Sequence, residues 1–286
     1  MIQSVMVKPA VIEFHEVETP VPGDDQVLIQ VKRIGVCGSD IHVYHGLHPY
    51  TSYPIVQGHE VSGLVAGFGK HVKGFKTGDV VTFAPQVTCG KCYPCTHGNY
   101  HICDSLKVMG FQTNGAGTIG SLTAQVARAM GAAAVMVTDV NDYKIQKARE
   151  CGIDFAVNTL TEPFDQALSK YFGPDKADLM LECVGSEMCI TQAVANARKG
   201  TTIVVVGVFG KKPVVDLGLV QDRELNLVGS LMYQNKDYEK AIELAAAGKL
   251  ALDKMITKRV AFKDYLEAYH YIEASQGNYL KVMIDL

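Results

Sequence analysis

The sequence predicts an α/β protein with a β-rich domain followed by a doubly wound parallel sheet. Two observations carry this prediction. Short apolar strands separated by glycines occupy the first hundred residues, as in small barrels and sandwiches. Beyond residue 115, apolar strands alternate with helical patterns of ten or more residues, which indicates a parallel sheet covered on both faces.

The composition is that of a folded protein that does not bind nucleic acid. The 286 residues are 48% hydrophobic and 20% charged, which is enough for one large or two modest domains. A net charge of −3 without any Lys/Arg run gives no surface for a phosphate backbone. The apolar runs are too short to cross a bilayer, and the first ten residues do not resemble a signal peptide. We therefore expect no membrane span and no secretion.

The β-rich part is predicted from alternating apolar and polar side chains and from glycines at the turns between strands. Residues 27–34 alternate apolar and polar side chains, which is the period of a half-buried strand. Residues 61–68 and 79–83 are two further short strands. Glycines mark the turns around them, namely Gly67, Gly69, Gly74 and Gly78.

The second part begins with a helix and contains five predicted strands. Apolar residues at helical spacing mark the face of that first helix, namely Ile119, Leu122, Val126 and Ala129. The strands are 134–138, 155–157, 178–183, 202–208 and 225–230. The helices between and after them are 142–150, 162–171, 187–198 and 236–247. The tail adds a helix at 262–274 and a strand at 279–285.

Four cysteines lie within fifteen residues in the pattern C-x2-C-x2-C-x7-C, namely Cys89, Cys92, Cys95 and Cys103. Four thiolates surround one Zn²⁺ tetrahedrally, and a site closed in this way is structural because no position is left for substrate. The alternatives are four thiols without metal or an iron–sulfur cluster. The short gaps disfavour disulfides and the other cysteines are scattered, so we expect a reducing, cytoplasmic compartment.

A second group of metal-binding residue types lies nearer the amino terminus. Cys37, His59 and Glu60 offer a thiolate, an imidazole and a carboxylate. That set suits a catalytic zinc, which keeps one position for water or substrate. From the residues alone, unligated side chains are an equally open interpretation. Of the remaining histidines, His45 and His48 are candidates to line a pocket, and the others are expected to be solvated or capping residues.

Residues 115–120 read G-A-G-T-I-G and match the G-x-G-x-x-G pattern, which brings a pyrophosphate to a helix amino terminus. In such sites an acidic residue at a strand end about twenty residues further on binds the ribose hydroxyls. Asp139 stands at that position. Because an aspartate repels a 2′-phosphate, NAD is favoured over NADP. The alternative is an ordinary turn glycine and a capping aspartate. The predicted cofactor-binding residues are Gly115, Gly117, Thr118, Ile119, Gly120 and Asp139.

In this order the motifs resemble the zinc-dependent medium-chain alcohol dehydrogenases. The similarity is greatest to the branch of sorbitol, threonine and galactitol or galactonate dehydrogenases, in which a glutamate follows the zinc histidine as in Gly58-His59-Glu60. Nearly the whole chain takes part in the resemblance. It implies a GroES-like catalytic domain split around a Rossmann domain, with the boundaries 1–114, 115–250 and 251–286.

The resemblance also implies the roles of single residues. Cys37, His59 and Glu60 are expected to hold the catalytic zinc, while Ser39 and His42 match the relay that carries the alcohol proton to solvent. The clustered cysteines match the structural zinc, so that two zinc ions and NAD are expected per chain. Family members are commonly tetramers, so we expect a homo-tetramer or homo-dimer with no nucleic-acid or membrane partner.

One departure from the family lies between Asn114 and Gly115. Relatives have a longer stretch before the glycine motif, whereas here only residues 104–114 follow the cysteine lobe. The doubly wound order 3-2-1-4-5-6 needs six strands, and the one absent is the central first strand. Its loss would leave two unpaired edges. We therefore expect residues at this junction that the numbering does not show, whereas an intact mass of 31.0 kDa would mean a true deletion.

In relatives the missing stretch carries a second glutamate near the catalytic zinc. The fourth zinc ligand is therefore unassigned here. Whether Glu60 binds the metal directly or only through a neighbour is equally open.

The expected activity is reversible oxidation of a secondary alcohol to a ketone, with hydride transfer to NAD. The polar segment 45–50, H-G-L-H-P-Y, favours a polyol or sugar acid as substrate. An activity like that of L-threonine 3-dehydrogenase or of a simple secondary-alcohol dehydrogenase is an alternative. A catalytically silent relative that binds NAD and zinc is another. A zinc-binding interaction module without cofactor affinity conflicts with the glycine motif and Asp139.

Overall fold

The computed structural model describes residues 1–48, 51–109 and 118–286, which form two compact units. One unit holds the described residues of Met1–Thr113 together with Ile256–Gln276 and Lys281–Leu286. The other holds those of Asn114–Met255 together with Gly277–Leu280. The chain therefore leaves the first unit and returns to it at Ile256, slightly later than the predicted residue 251.

The described residues contain fourteen strands and ten α-helices. The strands are β1 (Ile2–Lys8), β2 (Val11–Glu16), β3 (Val27–Val36), β4 (Glu60–Phe68), β5 (Val80–Thr82), β6 (Gln86–Val87), β7 (Lys107–Val108), β8 (Met136–Asp139), β9 (Phe155–Asn158), β10 (Leu179–Glu182), β11 (Thr202–Val205), β12 (Asn226–Gly229), β13 (Ile256–Ala261) and β14 (Lys281–Asp285). The helices are α1 (Gly38–Tyr44), α2 (Tyr93–Thr96), α3 (Thr118–Ala129), α4 (Asp142–Glu150), α5 (Phe164–Phe172), α6 (Glu187–Asn196), α7 (Leu217–Asp222), α8 (Asn235–Ala246), α9 (Leu252–Met255) and α10 (Tyr265–Ala274).

The first unit is built on a five-stranded sheet in the order β13-β14-β3-β4-β5. β3 is antiparallel to both β4 and β14, while β13 and β14 are parallel. Along β14, Val282 and Ile284 are buried and alternate with more exposed residues, as expected for a strand with one face on a core. The pairs β1-β2 and β6-β7 form two small separate sheets.

Helix α10 belongs to the first unit and contacts the segment that precedes β4. Its buried residues, Tyr265, Ala268, Tyr269 and Ile272, repeat at helical spacing and define one face. The Tyr269 ring stacks on that of Tyr44 in α1, with 4.8 Å between centroids. The Tyr269 hydroxyl donates a 3.0 Å hydrogen bond to Oε1 of Gln57, and Gln57 Nε2 donates to the Asp40 carbonyl at 3.2 Å. These contacts join α10, α1 and the chain entering β4.

The second unit contains the five predicted strands in two parallel sheets, β8-β9 and β10-β11-β12. The larger core lies on β10 and β11 and includes Met180, Ile190, Val194 and Ile203. A smaller one comprises Ala124, Ala148 and Ile153. The predicted α/β fold class, with a parallel sheet in this part, is confirmed.

In the doubly wound order 3-2-1-4-5-6, strands β9 and β8 take positions 3 and 2, and β10, β11 and β12 take positions 4, 5 and 6. No strand of the described residues takes position 1. Leu179 and Leu181 of β10 are 48% and 39% exposed, although strands of such sheets are normally buried on both faces. The absence of a central strand at the 114/115 junction stays a prediction, because residues 110–117 lie outside the described residues.

The full sequence joins Asn114 directly to Gly115. The expectation of residues hidden at this junction is therefore wrong. Among the described helices, none has both the length and the apolar character that a membrane crossing requires.

Candidate metal centres and nucleotide site

The structure brings Cys37, His59 and Glu60 together in the first unit. Their ligand atoms all lie within 4.8 Å of one another. Cys37 follows β3 and is the N-cap of α1, whereas His59 and Glu60 stand where β4 begins. The antiparallel pairing of Gly35 with Glu60 across β3 and β4 accounts for the meeting of these distant sequence positions.

Asp40 completes this group, although sequence analysis did not select it. Its side chain is buried; Oδ2 accepts a 2.8 Å hydrogen bond from the Cys37 amide, and Oδ1 lies 3.7 Å from Nδ1 of His59. Among the described residues, neither Oδ1 of Asp40 nor Nδ1 of His59 has a hydrogen-bond partner. Such a carboxylate beside a histidine is the usual partner of a metal-binding imidazole. A signal was available in the sequence, since an aspartate three residues into a helix often bonds the capping residue.

The electrostatics of the group favour a cation. Burial raises the pKa of Asp40 to about 8, against the opposing effect of His59. Burial also raises the pKa of the Cys37 thiol, and nearby Glu60 raises it further, while Lys281 and hydrogen bonds with Ser39 lower it. Because a zinc ligand must be a thiolate, a dication among these groups would offset the cost of ionising them. The donor set therefore fits the catalytic zinc that the sequence predicts.

Lys281 is a second residue that sequence analysis did not select as part of the site. Its Nζ donates to Glu60 Oε2 at 2.7 Å, to Glu60 Oε1 at 3.0 Å and to the Val36 carbonyl at 3.2 Å. Burial lowers the pKa of Lys281, but the charges of Glu60, Cys37 and Asp40 and the hydrogen bond to Glu60 together raise it above its ordinary value. A Cβ at Gly35 would stand 2.2 Å from Glu60 Oε2, so a side chain at position 35 would displace the carboxylate from its present place.

The predicted relay residues lie one helical turn apart in α1. Ser39 is fully buried in the first turn, while His42 is exposed. Burial lowers the pKa of His48, and the charge of His42 lowers it further. The sequence therefore places a buried hydroxyl and an exposed imidazole on neighbouring turns.

The predicted substrate-facing segment 45–50 is described only as far as His48. His45 Nε2 lies 3.3 Å from Glu273 Oε1, and His48 Nδ1 lies 2.7 Å from Thr51 Oγ1. Pro49 and Tyr50 lie outside the described residues.

The four clustered cysteines converge as predicted, with all four sulfurs within 4.8 Å of one another. The Cys92 and Cys103 sulfurs are 3.8 Å apart. That spacing matches the edge of a tetrahedron of sulfurs about 2.3 Å from a central zinc. Backbone amides of Lys91 and Cys92 point at Cys89 and lower the pKa of its thiol to about 6, which favours the thiolate. The set fits a structural zinc.

The structure describes only some of the predicted nucleotide-binding residues. Gly115 and Gly117 lie outside the described residues. Thr118 begins α3, and its Oγ1 donates a 2.6 Å hydrogen bond to the Leu280 carbonyl, whereas Ile119 is exposed. The last glycine of the motif normally lets the helix pack closely on the first strand. Here a Cβ added to Gly120 would meet no described atom within 4 Å, which agrees with the missing strand.

Asp139 stands at the carboxyl end of β8, where the ribose-binding acid was predicted. Its Oδ1 accepts hydrogen bonds from the amides of Val140 at 2.8 Å and Asn141 at 3.0 Å. Oδ2 lies 3.8 Å from Nζ of Lys144. These contacts hold the carboxylate in a fixed orientation at the strand end.

Comparison with known families gives two matches that together extend over most of the chain. Residues 23–142 match the alcohol dehydrogenase GroES-like domain, and residues 118–247 match the zinc-binding dehydrogenase family. Sorbitol dehydrogenase from Halalkalibacterium halodurans is 30% identical, over 94% of this chain and 94% of the relative. D-xylulose reductase from Saccharomyces cerevisiae is 29% identical, over 98% of this chain and 96% of the relative.

Among solved structures, an alcohol dehydrogenase from Escherichia coli CFT073 in complex with NADH matches with a TM-score of 0.90. It is 26% identical, and the match covers 100% of this chain and 99% of that one.

The alignment with the Halalkalibacterium relative also bears on the junction. It extends over 326 positions but uses only 94% of the 286 residues here, which is about 269 residues. About 57 of its positions therefore have no counterpart in this chain. This relative is therefore the longer of the two proteins over the aligned part.

Proposed function

Because the chain belongs to the zinc-dependent medium-chain alcohol dehydrogenase family, we propose that it oxidises a secondary alcohol of a polyol or sugar acid reversibly to a ketone, with hydride transfer to NAD. The observation that carries the proposal is the convergence of Cys37, His59 and Glu60 within 4.8 Å. The substrate class is supported by relatives named sorbitol dehydrogenase, D-xylulose reductase and L-galactonate-5-dehydrogenase.

The residues of the chain would have the following roles. Cys37, His59 and Glu60 would hold a zinc ion, which when bound polarises the alcohol oxygen and lowers its pKa. The Asp40 carboxylate lies 3.7 Å from Nδ1 of His59, where its charge would stabilise a metal-bound imidazole. Buried Ser39 receives the alcohol proton, and exposed His42, one turn along α1, passes it to solvent.

We propose two zinc ions and one NAD per chain. The second zinc is supported by the geometry of the cysteine cluster, with its sulfurs within 4.8 Å. NAD is favoured over NADP because the fixed carboxylate of Asp139 would repel a 2′-phosphate. The related Escherichia coli structure in complex with NADH supports the same choice.

A cytoplasmic location and a homo-dimer or homo-tetramer are also proposed. All eight cysteines are free thiols, which suits a reducing compartment. The residues of edge strand β12 are all exposed, Leu227 and Val228 included, so a second copy has an unpaired apolar strand to bind.

A catalytically silent relative that binds NAD and zinc is the second candidate. It is favoured by the division of the second unit's parallel strands into β8-β9 and β10-β11-β12. In the doubly wound fold the absent strand leads into the pyrophosphate-binding turn, so cofactor binding is the step that its loss would impair first.

One pair of measurements tests the proposal. We expect the wild-type chain to contain two zinc ions and to reduce NAD with a polyol or aldonic acid, whereas Cys37→Ser should retain one zinc and lose the activity. Cys151→Ser, which alters a thiol outside both groups, should keep both properties. Two zincs without NAD reduction across a panel of polyols, aldonic acids and threonine would establish the silent relative instead. A single zinc in the wild-type chain would contradict both candidates.

A further inference from the structure

Lys281 projects from the sheet beside the predicted metal ligands because of the register between three strands. β14 is antiparallel to β3 with Val282 opposite Val36, so the same register continued by one residue brings Lys281 opposite Cys37. On the other side of β3, Glu60 of β4 pairs with Gly35, which lies two residues before Cys37. Since alternate residues share a face, these three side chains project from one face of the sheet.

The ammonium group of Lys281 is fixed by its contacts. An ammonium has three donors. Here they are used by Oε1 and Oε2 of Glu60 and by the Val36 carbonyl, at 3.0, 2.7 and 3.2 Å. The group is therefore held in a single place, and both oxygens of the carboxylate face it.

The same carboxylate belongs to the predicted donor set, whose ligand atoms lie within 4.8 Å of one another. A metal ion at Cys37 and His59 and the ammonium of Lys281 would therefore attract the same two oxygens. We propose that Lys281 is a positioning residue that weakens the hold of the Glu60 carboxylate on the metal, so that the alcohol can take a coordination position there. This inference rests on the proposed function.

Lys281→Met tests the inference by the direction of its effect. The substitution keeps an unbranched apolar stem but removes the competing charge, so Glu60 should bind the metal fully. Zinc affinity at this site, measured by chelator competition, should rise at least about tenfold, the size expected for a unit charge a few ångströms from a dication. With Co²⁺ in place of zinc, the absorption spectrum should change because the Glu60 carboxylate binds the metal more strongly. Lys281→Arg should keep the wild-type affinity and spectrum.

Two further variants separate this role from a structural one. Lys258→Met removes a lysine of the neighbouring strand β13 that pairs with Glu267 at 3.2 Å, and it should leave zinc affinity unchanged. In a Glu60→Gln background, Lys281→Met should have little additional effect, because the residue acts through the carboxylate.

Unchanged or weakened zinc binding in Lys281→Met would overturn the inference. A gain in zinc affinity cannot come from damage to the fold, because such damage can only weaken binding. A gain that persists in full in the Glu60→Gln background would overturn it too. Either result leaves the proposed function standing if the wild-type chain binds zinc at Cys37 and oxidises its alcohol. A wild-type chain with no zinc at Cys37 would instead contradict the proposed function itself.

Discussion

Asp40 contacts two of the groups on which the first metal centre depends. One of its carboxylate oxygens accepts the Cys37 amide hydrogen at 2.8 Å, and the other faces His59 Nδ1 at 3.7 Å. It thereby fixes the backbone that carries the thiol and places a carboxylate oxygen beside the imidazole ring. Its burial excludes water as a substitute partner.

Asp40→Asn should therefore weaken zinc binding at Cys37 and His59 by about 10- to 100-fold, the usual effect of losing the partner of a metal-binding histidine. The amide keeps an oxygen for the Cys37 N–H but loses the negative charge beside His59. Chelator competition measures the change. Asp79→Asn is the matched control, since Asp79 accepts the amide of Lys76 three residues earlier at 2.7 Å. Equal zinc affinities in the two variants would contradict the assigned role.

Sequence analysis predicted Cys37, His59 and Glu60 because thiol, imidazole and carboxylate groups have recognisable metal chemistry. It did not predict Asp40, Lys281 or the need for glycine at position 35. Those three act through contacts that depend on strand register, and the residues concerned are up to 246 positions apart, as Gly35 and Lys281 are. No local pattern carries such information.

The cysteine lobe, residues 86–108, is an element with almost no core. It consists of the two-residue strands β6 and β7, helix α2 and one 3₁₀ turn, and Cys103 is its one buried residue. Such a segment cannot offset the entropy of ordering its backbone by apolar burial. Metal binding by the four thiolates is the source of order that the sequence offers.

Cys95→Ser should remove one of the two expected zinc ions and render this lobe sensitive to proteolysis, while zinc at Cys37 and His59 is retained. Metal analysis combined with limited proteolysis and mass mapping of the cut sites measures both effects. Cys151→Ser, a half-buried thiol in the second unit, serves as the control. A lobe that resists protease equally in both variants would show that it is ordered without metal.

Element types were predicted well where apolar periodicity is strong. Helix α4 was predicted at its observed bounds, Asp142–Glu150, and all five strands of the second unit were found. Helix α5 begins at Phe164 rather than at residue 162, because Pro163 ends the extended chain before it. Strands β1 and β2 were not predicted, since β2 has four exposed residues and little apolar alternation.

At the scale of the whole molecule, no strand among the described residues takes the central position of the second unit's sheet. Leu179 and Leu181 are exposed beside it, and the parallel strands are left in two sheets. The count of strands in the sequence predicted this division, whereas its cause in the polypeptide was misjudged. The second unit should therefore be the less stable of the two, and its binding of the cofactor should be weakened.

Inserting the corresponding stretch of the Halalkalibacterium sorbitol dehydrogenase between Asn114 and Gly115 should strengthen NADH binding and raise the thermal unfolding midpoint. Full burial of a leucine is worth about 1.5–3 kcal/mol, and Leu179 and Leu181 would each gain part of that. Calorimetry and NADH fluorescence measure the two effects. A glycine–serine stretch of equal length is the control, and equal behaviour of both insertions would show that the unit does not need the strand.

Strand β14 has a consequence for biosynthesis. It lies between β13 and β3 at the interior of the first unit's sheet, yet its residues follow the entire second unit in the sequence. On the ribosome, β3 must therefore wait with one edge unpaired while the intervening polypeptide is translated. The predicted zinc ligands are all made early, but the sheet that holds them is completed only when Lys281–Asp285 leave the exit tunnel.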